Sequence, residues 1–279
     1  MLTLPPRSKL AQALMNVASP ENDCITDETT LSFIRPVISG MLSNEDESDE
    51  VKNYILTQLP RLGKLLKDMD EIVAIIKGLS KYEANWRTRE CVARTLPAIA
   101  EAYGLEQFSQ GSESYLSLWL GLLSDTAASV RMSCIAGTHK IFEVAVNDGS
   151  VDPSQWVTKH VLDAVRQQYE SSTFYLTRIT ILGLYAELCP DATTPKDLVG
   201  VVAGFLITAL SDPVSNVRAC AARFLCKIVP NCEDSLISSV IQPKSKEVGD
   251  KIDLTKDDVM DCDHETRAFL KELNGLIGQ

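Results

Sequence analysis

The sequence predicts an all-α fold, a solenoid in which about six helical hairpins stack into a right-handed superhelix. Three observations predict it. Apolar residues recur at three- and four-residue intervals along most of the chain, the spacing of one buried helix face. The helices so implied come in pairs joined by short, acidic turns. The pair then repeats in order from one end of the sequence to the other.

The clearest unit runs from Phe205 to Pro230, beginning slightly upstream. Val199, Val202, Leu206, Ala209 and Leu210 make one face of a first helix. Asp212-Pro213 stops it, because Pro has no amide hydrogen and suits the first position of a new helix, while the Asp before it can cap that helix's free amides. Val214, Val217, Ala221, Leu225 and Ile228 line a second helix that closes at Pro230. The turn also carries a signature, an acidic residue followed six places later by a basic one. It occurs at Asp46 to Lys52, Glu83 to Arg89, Asp125 to Arg131, Asp212 to Arg218 and Asp261 to Arg267, with Ser172 to Arg178 as a sixth case whose cap is weaker. The basic positions lie 37 to 49 residues apart, close to the roughly 40 to 47 of a two-helix HEAT or armadillo repeat. A lone hairpin of this kind cannot bury its apolar faces and must stack on its neighbours. Within the stack the acidic residue is expected to cap a helix and the Arg to reach the cap of the adjacent repeat, forming a ladder.

The elements follow in order. Ser8 to Ala18 places Leu10, Leu14 and Val17 on one face like a second helix with no first helix before it, so the array is expected to begin mid-repeat, with upstream repeats missing; the alternative is an N-terminal helix acting as an improvised cap. The first full pair is expected at 28–43 and 49–66, and the second at Met69 to Leu79 and Trp86 to Tyr103, with Pro97 kinking the latter. Ser114 to Leu123 and Ala128 to Val146 make the third, with Gly137 a weak point. Pro153 to Glu170 and Phe174 to Leu188 make the fourth, and 197–229 the fifth. The sixth starts with Glu233 to Ile241, and Asp263 to Ile277 closes the stack. Between them residues 242–258, polar and holding Pro243 and Gly249, read as a mobile insertion. The whole of 1–279 is thus expected to be a single solenoid.

Composition narrows the function. At 45% hydrophobic and 23% charged the chain can form an ordinary core. Lys and Arg number 27 against 38 Asp and Glu, a net charge of -11 that repels nucleic-acid phosphates and anionic lipid, so neither is an expected partner. The eight cysteines are scattered through apolar helical stretches with no CxxC pair, which predicts reduced, buried thiols and a cytoplasmic or nuclear setting. No apolar run reaches about 18 residues, so no membrane span is predicted. His139, His160 and His264 fall in different repeats, and the sequence offers them no metal-ligand partners. No GxSxG, P-loop, GxGxxG or HExxH occurs. The expectation is a protein that is not an enzyme and has no catalytic, cofactor-binding or metal-binding residues.

The turns hold what a solvated loop would not need. Trp86 with Arg87, Tyr175 with Arg178, and Val214 are read as lying at equivalent places in their repeats. Large aromatics and Arg dominate protein-protein hot spots, so these five residues are the candidate partner-binding set. The competing reading has Trp86 and Tyr175 folding back onto their own helices.

The segments KYEANWRTRECVARTLPAIAEAYGLEQF, LSDTAASVR, FYLTRITILGLYAELC and LSDPVSNVRACAARFLCKI resemble, in order and with compatible spacing, the C-terminal HEAT repeats of the scaffolding (A) subunit of protein phosphatase 2A. The resemblance runs from about Ser8 to the end. It implies that Trp86, Arg87, Tyr175, Arg178 and Val214 contact a phosphatase catalytic subunit, and that a regulatory B-type subunit would join through repeats upstream of these. Two departures stand out: Ala128 replaces the aromatic of the family's third turn, and the insertion at Gln242 to Asp258 is longer than the family's turn. The other function class is a generic HEAT adaptor, a related phosphatase subunit or a transport or complex-assembly protein whose concave face receives a charged peptide.

Overall fold

The computed structural model describes residues 9, 11–13, 16, 28–44, 46–60, 70–81, 83–111, 114–191, 193–255 and 261–278. All regular structure among them is helical, and no helix among them is long and apolar enough to cross a membrane. The fold class is all-α, built from repeated helical hairpins. The chain packs as two compact units, Met1–Ser150 and Val151–Gln279. Of the helix expected at Ser8 to Ala18, only Lys9, Ala11, Gln12, Ala13 and Asn16 are described, all helical. The remainder of that segment lies outside the described residues.

Among the described residues the first unit contains three hairpins: α1 (Glu28–Ser43) with α2 (Asp49–Gln58), α3 (Asp70–Leu79) with α4 (Trp86–Tyr103), and α6 (Tyr115–Leu122) with α7 (Ala128–Asn147), the short α5 (Leu105–Ser109) preceding the last. Side-chain caps set several starts. Ser48 accepts from the Val51 amide at 3.3 Å, Asn85 from Arg87 at 2.9 Å and Ser114 from Ser117 at 3.2 Å. The second helices α2, α4 and α7 pack side by side, enclosing Val51, Ile55, Val92, Leu96, Trp119, Val130 and Ile141. The helix expected to reach residue 66 ends at Gln58, with Leu59 and Pro60 in a tighter turn; 61–69 lie outside the described residues.

Two glycines have definite work. Gly104, at φ 84°, closes α4 in a backbone region that side chains disfavour. Gly137 was expected to weaken α7, but it lets α7 close on α4. A Cβ there would stand 2.5 Å from Pro97 Cγ. Helix α4 continues through Pro97 from Trp86 to Tyr103, and the proline ring fills the space that the missing side chain leaves.

The second unit begins with α8 (Pro153–Val157), one π-helical turn (Thr158–Leu162) and α9 (Asp163–Ser171), paired with α10 (Tyr175–Glu187). Helices α11 (Lys196–Ala209) and α12 (Ser215–Ile228) form the next hairpin. The last comprises α13 (Asp234–Leu236), a π-helical turn (Ile237–Ile241), α14 (Gln242–Ile252) and α15 (His264–Ile277). Helices α10, α12 and α15 pack in sequence. At the unit's centre Tyr185 stacks on Phe205 with ring centroids 4.1 Å apart, Tyr169 meets the same ring edge-on at 5.0 Å, and the Tyr185 hydroxyl donates to the Leu162 carbonyl at 3.1 Å.

The expected insertion at 242–258 is instead helical as far as Ile252. Its composition is polar because only a narrow stripe is buried: Ile241, Ser245 and Val248 follow helical spacing, and the Ser245 hydroxyl donates to Asn274 Oδ1 at 2.8 Å. Outside that stripe Glu247 accepts from Lys251 at 2.7 Å and Lys244 at 3.0 Å. Residues 256–260 lie outside the described residues.

Candidate partner-binding surface

Each unit locks the starts of its second helices with an arginine ladder. In the first unit Asp125 Oδ1 accepts the Ala127 amide at 2.7 Å, while its carboxylate receives Arg89 Nε at 2.6 Å and Nη2 at 3.0 Å. In the second unit Asp212 Oδ1 accepts the Val214 amide at 2.9 Å, both its oxygens meet Arg178 at 3.2 Å, and the Tyr169 hydroxyl donates to Oδ2 at 2.7 Å. Burial of these pairs is tolerable because each carboxylate is met by several donors. The next rung differs from the one the spacing selects. Arg218 Nε donates to Asp263 at 3.1 Å, whereas Asp261 accepts the Asp263 amide at 2.9 Å and lies 3.5 Å from Arg267. Between the first two hairpins the polarity reverses, with Asp49 accepting from Asn85 at 2.8 Å and Thr88 at 3.2 Å.

The six-residue spacing has a backbone cause. Nη1 of Arg131, Arg178 and Arg218 donates to the carbonyl of the residue six places earlier: Asp125 at 2.6 Å, Ser172 at 3.1 Å and Asp212 at 2.7 Å. Each of these arginines therefore pins its own turn. The carboxylates of Asp125 and Asp212 serve arginines from the preceding repeat.

On these anchored helix starts sit the exposed side chains. Trp86, the first residue of α4, is 41% exposed, and the guanidinium of exposed Arg87 lies 4.7 Å from its ring centroid. In the second unit Tyr175, the first residue of α10, is 36% exposed. Arg178 was expected beside it as a contact residue; the structure places it in the ladder, with a side chain only 13% exposed and its guanidinium committed to Ser172 and Asp212. Val214 is half-buried at the N-cap of α12. Counted back from the ladder arginines, Trp86 and Tyr175 fall three residues before Arg89 and Arg178, but Val214 falls four before Arg218. Its equivalent is Phe174, which sequence reasoning passed over. Phe174 is 43% exposed and meets Tyr175 nearly edge-on, centroids 6.1 Å apart. Because the spacing is six in both turns, Val214 and Phe174 each fall two residues after the turn's first position, Asp212 or Ser172, and that register would have found Phe174.

Residues 202–232 match the HEAT repeat family. The HEAT match covers most of α11, all of α12 and the Asp212 turn between them, the hairpin whose rungs are described above. No curated protein matches the chain. Two crystal structures of engineered proteins from the Northeast Structural Genomics Consortium are similar, each at 18% identity. One covers 87% of this chain and 96% of its own at a TM-score of 0.42. The other covers 98% of this chain at a TM-score of 0.45, and this chain spans 64% of its length. The matched hairpin carries Val214 at its second helix start, whereas the exposed aromatics Trp86, Phe174 and Tyr175 stand on α4 and α10, outside the matched residues.

His139, expected to have no carboxylate at metal-ligand spacing, lies 3.2 Å from Glu143, four residues on. His160 stacks on Trp156 at 5.0 Å, and burial, with nearby Lys159, holds its pKa below the usual value. Asp261, Cys262 and Asp263 bring ligand-type atoms within 4.8 Å of one another, yet both carboxylates are already engaged by arginines. Burial pushes the Cys189 thiol up to about 12 and those of Cys226 and Cys232 to about 11.

Proposed function

We propose that this HEAT-repeat protein is a non-catalytic scaffold that binds the catalytic subunit of a protein phosphatase 2A-type Ser/Thr phosphatase through the starts of its second helices. The observation that carries the reading is the Trp86–Arg87 pair. A large ring, 41% exposed and stacked by a guanidinium at 4.7 Å, stands on a helix start that Asn85, Thr88 and Arg89 fix to neighbouring hairpins. A rigid, half-exposed aromatic with an adjacent cation is the chemistry of an interface anchor. Phe174 and Tyr175 offer a second such anchor in the other unit, with Val214 on the following turn. Arg178 supports that anchor from beneath, by holding the turn. The phosphatase assignment rests on the sequence resemblance at these turns.

The test is co-purification of the full chain with a metal-dependent Ser/Thr phosphatase catalytic subunit, for wild type and for Trp86→Ala. Recovery with wild type and its loss in the variant is the expected result. Equal recovery in both would remove Trp86 from the interface, and no recovery with either would overturn the phosphatase assignment.

A further inference from the structure

Helices α4 and α7 leave a groove on the first unit that the ridge residues do not enter. It consists of two adjoining hollows, of about 670 Å³ and about 260 Å³, which share Lys140 in their walls. The α7 wall is one continuous stripe from Ser129 through Met132, Ala136 and Lys140 to Glu143 and Asn147, three or four residues apart at each step. The larger hollow is apolar on this side, and Met132 stands 59% exposed in it, the largest exposure of any big apolar side chain described. Its two flanking ions, Arg94 and Glu90, pair with each other. The smaller hollow is acidic: Glu101, Glu143 and Asp148 surround a single Lys140, which Glu101 meets at 2.6 Å.

We infer that this groove is a second protein-binding site, which takes an extended segment of a partner protein carrying a bulky apolar anchor and a downstream or upstream Lys or Arg. The anchor rests on Met132 and Ala136, and the cation lies among Glu143, Asp148 and Glu101. Three carboxylates against one ammonium, with the His139 imidazole 3.2 Å from Glu143, fix the sign of that second contact, because a basic side chain finds an excess of negative charge there and an acidic one is repelled. Geometry fixes the spacing. Met132 to Glu143 is about 16 Å along a helix at 1.5 Å per residue, a distance that an extended chain covers in about five residues. The site is independent of the Trp86 surface and of the identity of the phosphatase.

The experiment selects a phage-displayed random peptide library on the full chain and measures the enriched peptides by fluorescence anisotropy. The expected consensus is a large apolar residue with Lys or Arg about five positions away, bound more weakly as salt rises. Met132→Glu should weaken it about tenfold or more, Glu143→Lys about threefold, and Trp86→Ala not at all. Should Met132→Glu lower the melting temperature, Ser129→Arg at the same mouth replaces it. No enrichment, an acidic consensus, binding indifferent to the groove substitutions, or binding lost in Trp86→Ala would each overturn the assignment. Self-association of the chain that Met132→Glu abolishes would do the same, by giving the groove to a second copy.

Discussion

Arg178 holds Asp212 by both carboxylate oxygens, Nη2 at 3.2 Å from Oδ1 and Nε at 3.2 Å from Oδ2, and so ties the start of α10 to the turn between α11 and α12. Asp212 simultaneously caps Val214 and accepts from Tyr169, so three donors depend on a carboxylate that is 8% exposed. Asp212→Ala should destabilise the second unit by about 3–5 kcal/mol, since it strands a buried guanidinium. Asp212→Asn keeps a cap oxygen and should fall between wild type and Ala. Urea unfolding that places Asp212→Ala within about 1 kcal/mol of wild type would remove the ladder as a source of stability.

Trp86→Ala should leave unfolding within about 0.5 kcal/mol of wild type, as for other exposed positions. Binding of the partner should fall about 30- to 1000-fold, the loss of roughly 2–4 kcal/mol given by an aromatic anchor. Arg87→Ala is the companion, with a smaller loss of binding and an unchanged melt. A large drop in melting temperature for Trp86→Ala would mark it as a packing residue instead.

At Gly137 two effects oppose. Alanine gains about 1 kcal/mol of helix propensity, but its Cβ would stand 2.5 Å from Pro97 Cγ, on a rigid ring that cannot swing aside. Overpacking of this kind costs about 1–3 kcal/mol, so Gly137→Ala should be net destabilising. A raised melting temperature would show that α4 and α7 separate freely at this point.

The thiols should differ in reactivity. Cys262 is exposed, while Cys91, Cys134, Cys189 and Cys226 are buried, and burial raises the pKa of each of these four. The thiolate is the nucleophile, so native-state alkylation read by mass spectrometry should mark Cys262 before these four. Early labelling of Cys189 would mean that the end of α10 opens readily.

Hydrogen bonds from Lys251, and then Lys244, pull the Glu247 carboxyl down to about 2. Its folded pKa lies below the ordinary carboxylate value, so its support of α14 is complete above about pH 4.3 and lost as pH falls through 2. Carbon-detected titration of the Glu247 carboxyl by NMR checks this; a midpoint near 4.3 would show that the lysine clasp is not populated.

The sequence by itself determined the all-α class, the hairpin order and several boundaries, among them 28–43 and Trp86 to Tyr103, because apolar period and capping are interactions between residues a few positions apart. It also displayed the six-residue acid-to-base spacing, though the acceptor six places back proved to be a carbonyl. Tertiary structure decided what depends on residues far apart in the chain. Asp263 rather than Asp261 receives an arginine 45 residues earlier, and Arg178 is drawn inward by Asp212, 34 residues away. The polar stretch 242–252 becomes helical through contact with Asn274. Phe174 is displayed and the groove between α4 and α7 is formed for the same reason: stacking of one hairpin on the next sets which side chains are covered, and the local sequence carries no record of the neighbour's surface.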